Sequence, residues 1–159
     1  MENTLEKLKK DYERLRARYK LMDFSKLNQE FEVEKIQERE TDFILREMRR
    51  VISDKIAAFL RFLELFINPQ SAPVFVLASL KELSSKDKET IEKMYRELVN
   101  IELTAVSLDI EYSEAKEAQF IKDTVKKWQD IKPDMKNISD TLLKMQSKSS
   151  EKKGKSYFG

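Results

Sequence analysis

Residues 41–67 read TDFILREMRRVISDKIAAFLRFLELFI, and this stretch decides the fold class. Its apolar side chains recur every three or four residues, which is the spacing that places them on one face of an α-helix. Thr41 can cap this helix at its start, and in residues 56–67 only Arg61 and Glu64 are charged. A helix that is apolar almost all round lies in the centre of a bundle or at an interface between subunits.

The clearest turn in the sequence comes directly after this helix, at residues 68–73, Asn-Pro-Gln-Ser-Ala-Pro. Pro69 ends the helix because it cannot donate a backbone hydrogen bond, and Pro73 suits the first turn of the next helix. That next helix is short and apolar and covers residues 74–83. The turn therefore predicts that the chain reverses its direction here.

A very long helix is predicted after the Ser-Ser pair at residues 84–85, either of which can cap it. Its apolar residues keep a heptad spacing from Ile91 onward. Neither Gly nor Pro interrupts it before Ile131, although Ser107 or Ser113 could mark a bend. This helix is expected to run back against residues 41–67 as the second arm of a hairpin.

The first helix has the most regular heptad pattern. Its apolar residues step by three and four along residues 5–22, as in one strand of a coiled coil. Asn3 and Glu6 suit a capping box at its start. Because a helix of this length is marginal in isolation, the pattern predicts a surface that packs against it. Residues 25–40 continue with helix-forming residues and predict another helix.

The composition agrees with helices throughout. The 40% of hydrophobic residues is too large for a disordered chain, and the only glycines are Gly154 and Gly159. We therefore predict an all-α fold, a helical bundle with a long antiparallel helical hairpin and a coiled-coil-like N-terminal helix. Residues 1–146 are predicted to form a single helical domain whose last helix begins at Pro133. Residues 147–159 are predicted to form a flexible basic tail.

The chain contains no Cys and no His, which excludes disulfides, the usual zinc sites and Ser-His-Asp triads. Without Gly in residues 1–153, a Gly-rich phosphate loop is excluded as well. We therefore predict that the protein is not an enzyme and has no catalytic, cofactor-binding or metal-binding residues. The alternative is an all-carboxylate site for Mg²⁺, Ca²⁺ or Mn²⁺ on four glutamates, although we favour a solvated face for Glu111, Glu114 and Glu117. The four glutamates are Glu102, Glu111, Glu114 and Glu117.

A narrow polar stripe interrupts the most apolar helix. Arg61 and Glu64 are three residues apart and could pair, with Asp54 and Asn68 on the same stripe. Such a pair could be buried and fix the register of the helix. We favour the other interpretation, in which the stripe faces water, because long charged side chains reach solvent readily.

The heptad patterns and the excluded catalytic groups favour a non-enzymatic scaffold or adaptor that mediates protein–protein interaction or self-association. The partner is then another protein or a second copy, with a homo-oligomer expected and a dimer favoured. The apolar segment 56–67 is too short to span a bilayer, and no signal peptide is visible, so we expect a cytoplasmic protein. The predicted interaction seam comprises Leu5, Leu8, Tyr12, Leu15, Tyr19, Phe59, Phe62, Leu63 and Phe66.

The alternative function is association with nucleic acid. Basic residues cluster on one flank of the first helix and in the C-terminal tail, which is a pattern that attracts phosphate groups. The net charge of +2 is small for a nucleic-acid-binding protein. The candidate contacts are Lys7, Lys10, Arg14, Arg18, Lys152, Lys153 and Lys155.

Overall fold

A computed structural model describes residues 3–157 of the chain, with the side chains of residue 149 and residues 151–157 outside that description. The described residues form helices and connecting turns without a strand, so the predicted all-α bundle is confirmed. Residues 3–157 contain six α-helices, namely α1 (Thr4–Tyr19), α2 (Phe24–Phe31), α3 (Ile44–Ile67), α4 (Val74–Glu82), α5 (Ser85–Ile110) and α6 (Glu114–Tyr157).

Two predicted N-caps are present. The Asn3 side chain accepts a hydrogen bond from the backbone N–H of Leu5 at 3.1 Å and caps α1. The Ser84 hydroxyl accepts one from the backbone N–H of Asp87 at 3.0 Å and caps α5. Each cap satisfies a backbone donor that has no partner within its own helix, and this fixes where the helix begins.

Helices α3 and α5 lie side by side and share the most extensive helix contact in the described chain. Arg49, in the first half of α3, reaches the Ala105 carbonyl near the end of α5. Phe66, at the end of α3, lines the same groove as Ile91 near the start of α5. The two helices therefore run antiparallel, and α6 packs against both of them.

The core is a set of apolar side chains from all six helices. On α3 the inward residues step by four and three from Leu45 to Phe66, and on α6 they do so from Glu117 to Ile138. Within the described part of the chain, none of the helices combines the length and apolar character needed to cross a membrane.

The uninterrupted helix predicted to run to Ile131 is wrong, because the chain breaks between α5 and α6 at Ser113, one of the two positions where a bend was left open. Glu111 is extended, at φ −136° and ψ 114°, and the Ser113 hydroxyl accepts from the backbone N–H of Lys116 at 3.4 Å. Tyr112 packs edge-on against Phe43, with 4.8 Å between ring centroids. This break turns α6 back onto α3 and α5, which a continuous helix could not reach.

The helix start predicted at Pro133 is also wrong, since Pro133 lies inside α6. A proline in a helix interior loses one backbone hydrogen bond and costs about 3 kcal/mol. The buried residues Trp128, Ile131, Met135 and Ile138 continue on one face across it, so packing outweighs that cost. The α6 backbone continues to Tyr157, through part of the predicted tail. The flexibility of residues 147–159 stays a prediction.

The single helix predicted over residues 25–40 is wrong in its length. Helix α2 ends at Phe31, and a 3₁₀ turn follows at Val33–Ile36. Between them Glu32 takes the left-handed conformation, at φ 54°, with its N–H bonded to the Asn28 carbonyl. Lys20 ends α1 in the same way, at φ 56°. Both positions usually hold glycine, so sequence patterns that rely on glycine do not reveal these helix ends.

Helix α2 is held against α6 by a polar and aromatic cluster. Glu30 accepts hydrogen bonds from the Trp128 indole N–H at 3.1 Å and from the Lys132 ammonium at 2.8 Å. The Lys55 ammonium donates to the Glu30 carbonyl and lies 5.4 Å from the Phe31 ring centroid. Each polar group in this cluster therefore has a partner, as a partly buried site requires.

Candidate interaction surfaces

The residues of the predicted interaction seam lie in the chain's own core or against it. Leu8, Tyr12, Leu63 and Phe66 are buried. The other five are partly buried and pack on that core, namely Leu5, Leu15, Tyr19, Phe59 and Phe62. The heptad pattern of α1 predicted a surface that packs against this helix, and that surface is the core of the same chain. A role of these residues between chains stays a prediction.

Exposed large apolar side chains occur elsewhere, and most of them form two groups. The first group lies at the end of α3 and along α4, and comprises Ile67, Val74, Phe75 and Leu77. The second group lies on the outer face of α5. Contiguous exposed apolar surface is typical of contact sites, whereas scattered single residues are not informative.

We call the second group the α5 stripe, made of Val99, Leu103, Val106 and Ile110. Val99 is half-buried, and the other three are 62%, 52% and 82% exposed. The steps of four, three and four residues place all four on one side of the helix over about 16 Å. The opposite side of α5 carries the core residues Ile91, Met94, Leu98, Ile101, Ala105 and Leu108. Helix α5 is therefore apolar on two opposite sides, of which the fold covers one.

An aromatic pair lies at the turn that follows α5. The rings of Phe43 and Tyr112 contact each other edge to face and remain 45% and 37% exposed. The Arg46 guanidinium lies 5.5 Å from the Tyr112 ring centroid, within the range of a cation–π interaction. These contacts hold the two partly exposed rings at the α5–α6 turn, where Tyr112 follows Ile110 by two residues.

Acidic residues border the α5 stripe. Glu102 and Asp109 are within one turn of Val106, and Glu111 follows Ile110. Burial raises the pKa of Glu102, an effect that Arg61 opposes and Asp54 reinforces. The pKa of Asp109 is lowered by its hydrogen bond with Arg49.

A groove lies at the N-terminal end of α5, away from the α5 stripe residues. It has a volume of about 290 Å³ and lies where the end of α3, α4 and the start of α5 meet. Its apolar wall includes Phe66 and Ile67, and its rim carries Lys88, Glu92 and Arg96. The rim charges have both signs, so the groove itself does not select a ligand by charge.

The structure shows a buried ion pair that the sequence reasoning missed. Arg49 and Glu117 are 1% and 0% exposed, and the Arg49 Nε donates to Glu117 Oε2 at 2.7 Å. Arg49 Nη2 also donates to Glu117 Oε1 at 3.2 Å and to Asp109 at 2.8 Å. Burial alone lowers the pKa of Arg49, and the hydrogen bonds with Glu117 and Asp109 outweigh it and raise that pKa. This pair ties α3 to α6 at the end of α5.

A signal for this pair was present in the heptad positions. Arg49 lies four residues after Leu45 and three before Ile52, where the core pattern of α3 expects an apolar residue. Glu117 lies four residues before Ile121 in the equivalent pattern of α6. A charged residue at an inward heptad position indicates a buried charge, and two of opposite sign on facing helices indicate a pair.

The polar stripe on α3 faces solvent, as the favoured interpretation held. Arg61, Glu64, Asp54 and Asn68 are all exposed. Their exposure leaves Arg49 as the buried arginine of this helix.

The four glutamates considered for a metal site do not come together. Glu117 bonds to Arg49 and is fully buried, so the solvated face that we favoured for Glu111, Glu114 and Glu117 is wrong for Glu117. Glu114 accepts a hydrogen bond from the Tyr19 hydroxyl at 2.7 Å. Among the residues that the structure describes, no group of three potential ligands is arranged to hold a metal ion.

The basic residues of α1 lie on its exposed side. Lys7, Lys10, Arg14 and Arg18 are all exposed, and Arg18 approaches Glu114 at 3.6 Å. The side chains of the remaining candidate contacts, Lys152, Lys153 and Lys155, lie outside the described residues.

Comparison with known proteins identifies no relative of this chain. The chain matches no protein-family model, no curated protein and no solved structure.

Proposed function

We propose that this protein is a non-enzymatic adaptor or scaffold that binds other protein chains through the outer face of α5. The α5 stripe carries this proposal, because it is an ordered apolar surface with heptad spacing that the fold leaves uncovered. Helical partners recognise such rows of residues at three and four residue spacing. The cytoplasmic location expected from the sequence remains part of the proposal.

Self-association is one form that this function can take, with a dimer favoured. The α5 stripe, rather than the seam predicted on α1, is then the surface that a second copy would use, since the α1 seam packs on the core. A stable dimer buries roughly 800 Å² on each partner, which requires polar surface around the stripe as well.

The test compares two matched double substitutions. The stripe variant carries Leu103→Gln and Ile110→Gln, and the α4 variant carries Val74→Gln and Leu77→Gln, so each removes two exposed aliphatic side chains. Light scattering measures self-association, and affinity capture from the native lysate measures binding of other proteins. We expect the stripe variant to lose the interaction and the α4 variant to keep it. An interaction that both variants retain equally would overturn the proposal.

Nucleic-acid association is the second candidate function. It is supported by the exposed positions of Lys7, Lys10, Arg14 and Arg18 along α1. Binding through phosphate contacts releases counterions from the nucleic acid, and added salt opposes that release. Such binding therefore weakens steeply as the salt concentration rises. Titration with duplex and single-stranded oligonucleotides at increasing salt tests it. Binding that is absent at low salt, or that does not respond to salt, would contradict it.

A further inference from the structure

The α5 stripe lies in a stretch of the sequence whose charged residues are all acidic. Between Arg96 and Lys116 there are five acidic residues and no basic residue. Of the five, Glu102, Asp109 and Glu111 lie beside the stripe, and the other two are Glu97 and Glu114.

Neighbouring arginines neutralise only part of this acidic edge. Asp109 is 2.8 Å from Arg49 and 3.7 Å from Arg50, so its charge is compensated from α3. Glu102 is only partly exposed, and burial raises its pKa, an effect that nearby Arg61 opposes and that Asp54 reinforces more weakly. A cation placed beside Glu102 would be attracted, since it would stabilise the charged form of the carboxyl that burial disfavours.

The end of the helix adds to the negative charge. Helix α5 has no basic residue in its last turn, where the helix dipole favours cations, and it carries Asp109 there instead. Ile110, with 82% of its surface exposed, lies at this same end between Asp109 and Glu111. Because Asp109 is already paired with Arg49, this end of the surface offers a cation the exposed carboxylate of Glu111, directly after the apolar contact at Ile110.

The shape and charge of the surface select among occupants. A row of about 16 Å matches three turns of a single helix. In a two-fold pair of antiparallel α5 helices, each edge of the stripe meets the same edge of its partner, so Glu102 of each chain would face the acidic edge of the other. Like charges placed opposite each other make that arrangement weaker than one with a basic partner. A basic helix meets no such repulsion.

We propose that the α5 stripe docks an amphipathic helix with basic flanks from another protein. Its apolar residues pack on Leu103, Val106 and Ile110, and its Lys or Arg side chains lie beside Glu102 and Glu111. This inference rests on the proposed function and adds the chemistry of the partner.

Two synthetic helical peptides test it, each of about three heptads with Leu at the a and d positions. One has Lys at the e and g positions, and the other has Glu. Fluorescence anisotropy measures the binding of each to the full chain at low and at physiological salt. We expect the Lys peptide to bind at least about tenfold more tightly than the Glu peptide, with a difference that shrinks as salt rises.

Three variants separate the contributions. The stripe variant should lose the Lys peptide, and the α4 variant should bind it as the wild type does. A variant with Glu102→Gln and Glu111→Gln should keep most of the apolar affinity and lose most of the discrimination between the two peptides. Equal binding of both peptides by the wild type, or retention of the Lys peptide by the stripe variant, would overturn the inference.

The outcomes also distinguish this inference from the proposed function. If light scattering shows oligomers that only the stripe variant dissociates, and the Lys peptide does not compete, the occupant is a second copy and the inference is wrong. The proposed function would survive that result. It would fail only if no peptide, second copy or cellular protein bound in a way that depended on the stripe.

Discussion

The Nε of Arg49 lies 2.7 Å from Oε2 of Glu117, and both side chains are almost completely excluded from solvent. The pair joins two residues that are 68 positions apart in the chain. The ion pair is bidentate, because a second guanidinium nitrogen of Arg49 also donates to Glu117. Asp109 completes the set of acceptors from α5, so this contact holds three helices in one arrangement.

Removal of one partner of this pair should be strongly destabilising. Arg49→Met leaves the Glu117 carboxylate buried without its cation, and such a change typically lowers the free energy of unfolding by about 3–5 kcal/mol. Urea unfolding followed by circular dichroism measures the effect. A loss smaller than about 1 kcal/mol would show that water or another cation replaces Arg49.

The double substitution Arg49→Met with Glu117→Met provides the control for this prediction. Apolar residues of similar volume often replace a buried ion pair at little cost in stability. We therefore expect the double variant to be more stable than Arg49→Met alone. If the two single effects simply add, the pair is not energetically coupled.

The α5 stripe should contribute little to the stability of the isolated chain. Leu103→Gln and Ile110→Gln change exposed positions in or at the end of a helix, so each should alter the free energy of unfolding by no more than about 0.5 kcal/mol. Leu98→Ala, on the buried side of the same helix, should lower it by about 2–5 kcal/mol. Thermal and urea unfolding of the three variants make the comparison. Large losses at Leu103 or Ile110 would mean that the fold already covers the stripe.

Replacement of Lys20 by glycine should stabilise the folded protein. Its backbone is left-handed, at φ 56°, a conformation in which a Cβ atom is unfavourable. Lys20→Gly should raise the free energy of unfolding by about 0.5–1 kcal/mol, after allowance for the greater freedom of glycine in the unfolded chain. Lys20→Ala retains the Cβ atom and serves as the matched control, with an expected change near zero. Equal effects of the two substitutions would contradict this explanation.

Glu30 should make the free energy of unfolding depend on pH in the acid range. The hydrogen bond from Lys132 lowers its pKa below the ordinary value of 4.5, so the folded state favours the carboxylate more than the unfolded state does. This contribution is complete above the unfolded pKa and is lost as the pH falls through the folded pKa. The free energy of unfolding, measured by urea titration from neutral pH downward, should therefore decline below about pH 4.5.

The substitution Glu30→Gln isolates this contribution, because glutamine can still accept from the Trp128 N–H while it carries no charge. The decline at acid pH should be shallower in this variant than in the wild type. Identical slopes would assign the acid sensitivity to other carboxylates, of which Asp109 also has a lowered pKa.

The candidate surface could be predicted only in part. The buried seam of α5, from Ile91 to Leu108, follows from its spacing in the sequence and is confirmed by its burial. The α5 stripe has the same kind of spacing, offset by one or two residues from that seam. Because both rows satisfy the heptad rule, the sequence does not tell which of them the rest of the chain covers.

The sequence by itself determined the all-α class, the caps at Asn3 and Ser84 and the turn at Pro69 and Pro73. These are local properties, since periodicity, capping and the restrictions on proline act within a few residues. Only the tertiary structure decided that α5 ends at Ile110, that Pro133 lies inside a helix and that Arg49 is buried. Each depends on packing between distant segments, whose energy exceeds the local preferences that oppose it.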